Sequence, residues 1–444
     1  MKRLALLLMI GLLIATASAA LGVEVNADQA KAIVEIEKAG GKLTVAESVP
    51  GKPVIEVEFH GAEITDDTLA YVKGFTTLQT LTLGETSVSD AGLENLKGLT
   101  HLCVLDLRAT KITDAGMEDL TGLTELLTLN LSDTAITDTG VERLKRVAKL
   151  QTLHLSGTKV DDDGLAYLRT MTTLQNLFLG RTKITDSGLE HLKGLTALQS
   201  LDLQFDNITD EGLENLKGLT SLQSLCLFGT KVTDDGLAHV QGLNKLEDLN
   251  LDLTNVTNDG LTHLQGLSEL RSLTLGGNQV TDEGIELLKG FKKLQRLDLG
   301  ATKVTSTGIG HLEGMVTLQS LDIARTRVTD TALEHLKGLV RLQALNLEGT
   351  KVTDVGLESL KGLTELRSLN LWETKVTEDG LIHLKGMANL QMLNLGMTKV
   401  TDDGLANIAG LTNLETLYLN GTHVTDAGLT HLNELKKLKS LLSG

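Results

Sequence analysis

Apolar residues recur along this chain with a period of 24. The stretch 342–365, LQALNLEGTKVTDVGLESLKGLTE, shows the pattern in full. Leu345 and Leu347 are two apart, so on a short strand they point to one face. Leu342 and Val352 share the interior with them. Thr353 and Asp354 predict a helix start, because either side chain can accept from orphan backbone N–H groups. Leu357 and Leu360 are three apart and share a face of that helix. Gly362 predicts its end, since glycine enters the left-handed region without penalty, and Leu363 closes the core. One period is a strand, a turn, a short helix and a return. It cannot bury its leucines alone and must stack on copies of itself.

The pattern begins at Val54, Leu78 and Leu102 and repeats to Leu414, sixteen turns in unbroken register with a partial copy from Leu438. A period of 20 to 29 residues with L-x-x-L-x-L marks a leucine-rich repeat solenoid. The predicted fold is α/β. It is a right-handed solenoid, a horseshoe with parallel strands on its concave face and short helices on its convex face. The register allows residues 54–437 to form one elongated domain.

The residues before Val54 break the period. Lys2 and Arg3, the apolar run from Leu4 to Ala15 and the small residues Ala17-Ser18-Ala19 read as a signal peptide over residues 1–20. Residues 21–53 read as an N-terminal cap. Within them Asn26 to Ala39 has helical spacing, with Ala30, Ile33, Val34 and Ile36 on one face. Gly40 and Gly41 stop it, and strands follow at Lys42 to Ala46 and Val54 to Phe59. Residues 438–444 are the partial last repeat.

The formal net charge is −17, and loss of Lys2 and Arg3 would make it more negative. So acidic a chain argues against nucleic acid and against anionic membrane surfaces. No insertion into a membrane is expected once the leader is removed. Cys103 and Cys226 are the only cysteines. They stand five turns apart, on the order of 24 Å at strand spacing, so no disulfide between them is expected.

A constant period stacks equivalent residues into columns. Position nine of the repeat is threonine in thirteen of sixteen turns, with Ala62, Asp206 and Asn278 as the exceptions. A hydroxyl there can satisfy backbone groups in the bend. Asp66, Asp90, Asp114 and their equivalents form a second column, broken by Asn258, Ser306 and Glu378. Each is expected to cap its own helix rather than bind calcium. His191, His239, His263, His311, His335, His383 and His431 form a third column, read as an exposed helical face and not a metal site. No cofactor is expected.

The run from Thr350 to Leu371, T-K-V-T-D-x-G-L-x-x-L-K-G-L-T-x-L-x-x-L-x-L, resembles the leucine-rich repeat proteins abundant in planctomycete-type bacteria. It is also similar to the cysteine-containing repeats of eukaryotic F-box adaptors. Threonine stands where those often carry cysteine, and a leader stands where an F-box would be. The resemblance implies a solenoid that binds protein or ligand, and no catalytic residues.

No G-x-S-x-G, P-loop or H-E-x-x-H is present. Asp298 and Asp322 lie at one strand position on neighbouring turns, at a separation used by retaining glycosidases, but on an open surface. The chain is therefore read as an exported, non-catalytic scaffold for a protein or glycan. The alternative is a structural or adhesive envelope component. Oligomeric state is not legible. Five of its ten aromatics fall on concave positions. Phe178, Phe205 and Phe228 form a proximal group with Leu253 and Cys226. Trp372 and Tyr418 form a distal group with Met392 and Met397, beside a polar column of Asp298, Asp322, Asn346, Asn370 and Asn394. The expected ligand-binding residues are those five aromatics, the two methionines, Asn370 and Asn394.

Overall fold

The structure is a computed structural model and describes residues 27–442. The leader assigned to residues 1–20 lies outside the described residues. The chain divides into two compact units, Met1–Ile208 and Thr209–Gly444.

In the first unit, helix α1 (Ala27–Lys38) buries Ala30, Ile33, Val34 and Ile36. It is tied to the first turn by Gln29, whose Nε2 donates to the Gly74 carbonyl at 2.9 Å. Strand β1 (Lys42–Val45) pairs antiparallel with β2 (Val54–Glu58). From β2 onward every pairing is parallel and in register by one period, as in Leu81↔Leu105 and Leu153↔Leu177. The second unit repeats this ladder from Ser224–Cys226 to Ser440–Leu442. From Thr80–Thr82 onward each strand is three residues long with its central leucine inward. The leucines of strand, turn and helix are almost all fully buried. Phe59, Phe75 and Phe291 take leucine positions in this core.

The threonine column behaves as expected. Thr350 Oγ1 donates to the Leu347 carbonyl at 2.7 Å, and the same bond recurs at Thr86, Thr110, Thr230 and Thr398. The hydroxyl occupies a carbonyl that the bend removes from the ladder.

Two local expectations are corrected. Gly362 does not stop its helix in the left-handed conformation. Among glycines at that position only Gly314 has positive φ. The α-turn Asp354–Leu357 instead tightens into a 3-10 turn, Glu358–Leu360, and the Leu363 N–H closes it on the Leu360 carbonyl at 2.9 Å. The aspartate column does not cap its own helices either. Asp330 Oδ1 accepts from the Thr353 N–H at 2.7 Å, and Oδ2 from Thr353 Oγ1 at 2.7 Å, one turn further on. Matching bond pairs join Asp90 to Thr113, Asp162 to Thr185, Asp234 to Thr257 and Asp402 to Thr425. Threonine is the helix cap, as where Thr353 Oγ1 accepts from the Val355 N–H. The carboxylate is a staple between turns. Asn258 and Ser306 keep a bond to the next threonine.

The staple also explains the glycine in T-D-x-G. A Cβ on Gly356 would lie 2.5 Å from Asp330 Oδ1. Glycine is required there for space, not for conformation.

The left-handed residue is elsewhere. In all sixteen turns the residue just before the threonine column has positive φ. Six of these are glycine, while Ala301, Leu253, Phe205, Met397 and six others are not. An L-residue in this region costs about 1 kcal/mol. Ala301 has φ +55° and only a methyl group to lose. Ala301→Gly is expected to stabilise the protein by about 0.5–1 kcal/mol, read as a higher urea midpoint; an unchanged or lower midpoint would show that the turn is unstrained.

Candidate functional site

The strand face is built from four outward positions per turn. Residues three and five of the repeat flank the inward leucine, and residues seven and eight follow it into the turn.

In the second unit the polar column at position five does structural work first. Asn370 Oδ1 accepts from the Trp372 N–H at 3.0 Å, and Asn394 Oδ1 from the Gly396 N–H at 3.0 Å. Asp298 and Asp322 do the same for Gly300 and Ala324, at 2.7 and 2.8 Å. Each side chain closes a small Asx-type turn that starts the bend. The remaining atoms are partly committed as well. Asn346 Nδ2 donates to Asp322 Oδ2 at 2.6 Å, and Asn370 Nδ2 to Glu348 Oε2 at 3.2 Å. Burial, with Asp322 and Asp252 nearby, pushes the Asp298 carboxyl up to about 6. The Asp298–Asp322 pair thus holds backbone amides.

The distal group is brought together. Asn370, Asn394 and Tyr418 stand in register on adjacent strands, and Met392 pairs with Ser368 and Thr416. Trp372 is half-buried because its six-membered ring lies against Gly396, where a Cβ would collide with it. Met397 is 54% exposed with φ +55°, and its sulfur lies over Gly421. Leu253, 55% exposed, is seated on Gly277 in the same manner. Each bulky residue rests on a glycine of the next turn. That fixes its orientation while leaving its outer surface to solvent.

The proximal group divides between the units. In the first unit the Phe178 ring stacks on His154, with centroids 4.1 Å apart and planes within 2°. Arg181 lies over Phe205 at 5.2 Å, a cation–π contact. Burial lowers the His154 pKa, against the opposing charges of Asp106 and Asp202, which favours the neutral, stacking form. Phe228 belongs to the second unit and is half-buried. His154 and Arg181 were missed from the sequence, although their positions one turn before Phe178 and Phe205 would have found them.

Tyr71 and Tyr167 lie in the helical segments, Tyr167 under the Lys145 ammonium at 4.2 Å. Neither cysteine forms a disulfide. Among the described residues, no three His, Cys, Asp or Glu side chains converge as metal ligands. Among the same residues no helix is long and apolar enough to cross a membrane.

Stacked 24-residue turns, a parallel strand ladder and an outward face set with rigid apolar groups define a leucine-rich repeat solenoid. The chain belongs to the leucine-rich repeat family. The model described as "Leucine-rich repeat region" matches residues 59–307, and two further leucine-rich repeat models match 316–375 and 410–432. No curated protein matches the chain. Among solved structures it is similar to an internalin from Listeria monocytogenes, at 28% identity over 73% of this chain and 88% of that one, with a TM-score of 0.57. A leucine-rich repeat protein of Leptospira interrogans shares the fold at 19% identity over 90% and 93%, with a TM-score of 0.53. So does the ectodomain of the Arabidopsis receptor kinase HAESA, solved with a peptide hormone, at 18% identity over 90% and 71%, with a TM-score of 0.52.

Proposed function

We propose that this protein is a non-catalytic scaffold that binds a protein partner on the strand face of its second unit. The observation that supports this reading is the distal group. Trp372, Met392, Met397 and Tyr418 present apolar surface among Ser368, Asn370, Glu373, Asn394, Thr416 and Asn420. Trp372 and Met397 are held in place by Gly396 and Gly421, so little side-chain entropy remains to be lost on binding. Met397 keeps a bulky side chain in a left-handed position where six of the other turns use glycine. Strain of this kind clusters at ligand clamps. Asn394 and Tyr418 add polar groups beside the indole, as at an interface hot spot.

The leader read over residues 1–20 supports export, so the partner would be met outside the cytoplasm. The test is a pull-down from envelope extract with the full chain as bait, followed by titration of the captured partner. Trp372 is the only tryptophan, so its emission should shift on saturation. Trp372→Ala and Gly396→Ala should each weaken binding by about 1–2 kcal/mol, the second because the new methyl displaces the indole. Wild-type affinity in both variants would refute the site.

A further inference from the structure

The tenth residue of each turn forms a column that the strand-face reading does not use. In the second unit it holds Lys303, Arg327, Lys351, Lys375 and Lys399 on five consecutive turns, all exposed. The backbone sets the column. The Lys351 N–H donates to the Val328 carbonyl at 3.0 Å, and the Lys375 N–H to the Val352 carbonyl at 2.9 Å. Val352 and Val376, the next residues, are fully buried. The five cationic side chains therefore point outward along one flank, between the strands and the helices, about 4.8 Å apart at strand spacing.

Several other cations of this acidic protein are paired. On the helical side Lys217, Lys289 and Lys361 pair with Glu214, Glu286 and Glu358. Between turns Lys293 pairs with Glu269, and Lys439 with Glu415. Among the described residues, no ion pair or side-chain hydrogen bond involves any of the five. The acidic neighbours also thin out along the first three of these turns. One residue into the helix, the turns of Lys375 and Lys399 carry Asp379 and Asp403, as the two turns before the row carry Asp259 and Glu283. The turns of Lys303, Arg327 and Lys351 carry Thr307, Thr331 and Val355 there, all exposed.

We propose that this flank binds a linear acidic polysaccharide carrying one carboxylate per sugar, laid along the row. A row of evenly spaced charges matches an extended polyanion with evenly spaced anions. Single-stranded nucleic acid is disfavoured, because such binding uses aromatic stacking platforms. The flanking columns hold Ala301, Arg325, Gly349, Glu373 and Met397 on one side and threonines on the other. The site is independent of the strand-face reading, and Trp372→Ala should leave it unchanged.

The test uses the full chain and polygalacturonate oligomers, with neutral dextran and single-stranded DNA of equal charge as comparisons. Calorimetric titration is expected to show salt-sensitive binding of the uronate and none of dextran. The triple variant R327Q/K351Q/K375Q should weaken uronate binding at least tenfold and flatten its salt dependence, while K217Q/K289Q/K361Q should leave both unchanged. Lys351→Arg with Lys375→Arg keeps the charge and should keep the binding, which separates lost charge from lost fold. Equal loss in the two triple variants, wild-type binding by the first, or tighter binding of DNA than of uronate would each overturn the proposal.

Discussion

Replacing Gly356 with alanine is expected to destabilise the second unit by about 2–4 kcal/mol, although the residue lies in a helix where alanine is normally preferred. The new methyl would sit 2.5 Å from Asp330 Oδ1 and 2.9 Å from Leu333 Cδ1. The carboxylate must then leave the Thr353 N–H and hydroxyl, both of which it accepts from at 2.7 Å. Crowding in a packed interior costs about 1–3 kcal/mol, and abandoning a charged acceptor adds about 1.5–3 kcal/mol at most. Asp330→Ala alone should cost about 1–2 kcal/mol, since it removes the staple but opens the space. The two changes should therefore not add. With Asp330 already alanine, Gly356→Ala should be near neutral or favourable. A double-mutant cycle decides this. Stability in a repeat stack is a sum of nearest-neighbour terms and need not be lost in one step. Amide exchange at Val328 to Leu357 is therefore the sharper readout. Additive losses would mean that the glycine serves some purpose other than room for the carboxylate.

Asp206→Asn is expected to stabilise the protein at pH 8 by about 2–3 kcal/mol and to remove a pH dependence from the first unit. Asp206 stands in the threonine column and is 3% exposed. Its Oδ1 accepts from the Thr182 N–H and hydroxyl at 2.8 and 3.0 Å, and its Oδ2 has no partner among the described residues. Burial pushes the carboxyl up to about 7, against the two bonds from Thr182. The native state therefore keeps a proton that the unfolded chain releases near pH 4. Between those values the unfolded state binds fewer protons, so stability falls as pH rises and levels off above about 7. Asn278 shows the neutral solution in the same column. Its Oδ1 accepts from Thr254 Oγ1 at 2.9 Å, while its Nδ2 donates to the Leu251 and Leu275 carbonyls at 2.6 and 3.1 Å. An amide at 206 can make both kinds of bond at every pH. Urea midpoints of wild type and variant at pH 5 and pH 8 test the sign. Equal pH slopes in the two proteins would place the titration elsewhere.

The sequence by itself determined the period, the inward leucines, the helix α1 with its apolar face, the threonine column and the parallel α/β architecture. These follow from alternation over two residues, spacing over three or four, and a repeat length that cannot vary without breaking every column. Each is carried by residues close together in the chain. The positions of Trp372, Tyr418, Met392 and Met397 on the strand face were legible for the same reason.

What only the tertiary structure decided are relations between turns. Asp330 serves Thr353, not its own helix, because stacking brings residues 23 apart closer than the first turn of the helix does. Asn370 and Asn394, expected as ligand-binding residues, also hold the Trp372 and Gly396 amides. Gly356 and Gly396 lie outside the left-handed region and leave room for a side chain one turn back. The true left-handed residue was hidden because alanine, leucine, phenylalanine and methionine occupy it as readily as glycine. In a stacked repeat the partner of a side chain lies one period away. A sequence shows that such a residue exists, but the offset between turns, and with it the contact, is set by how the coil closes.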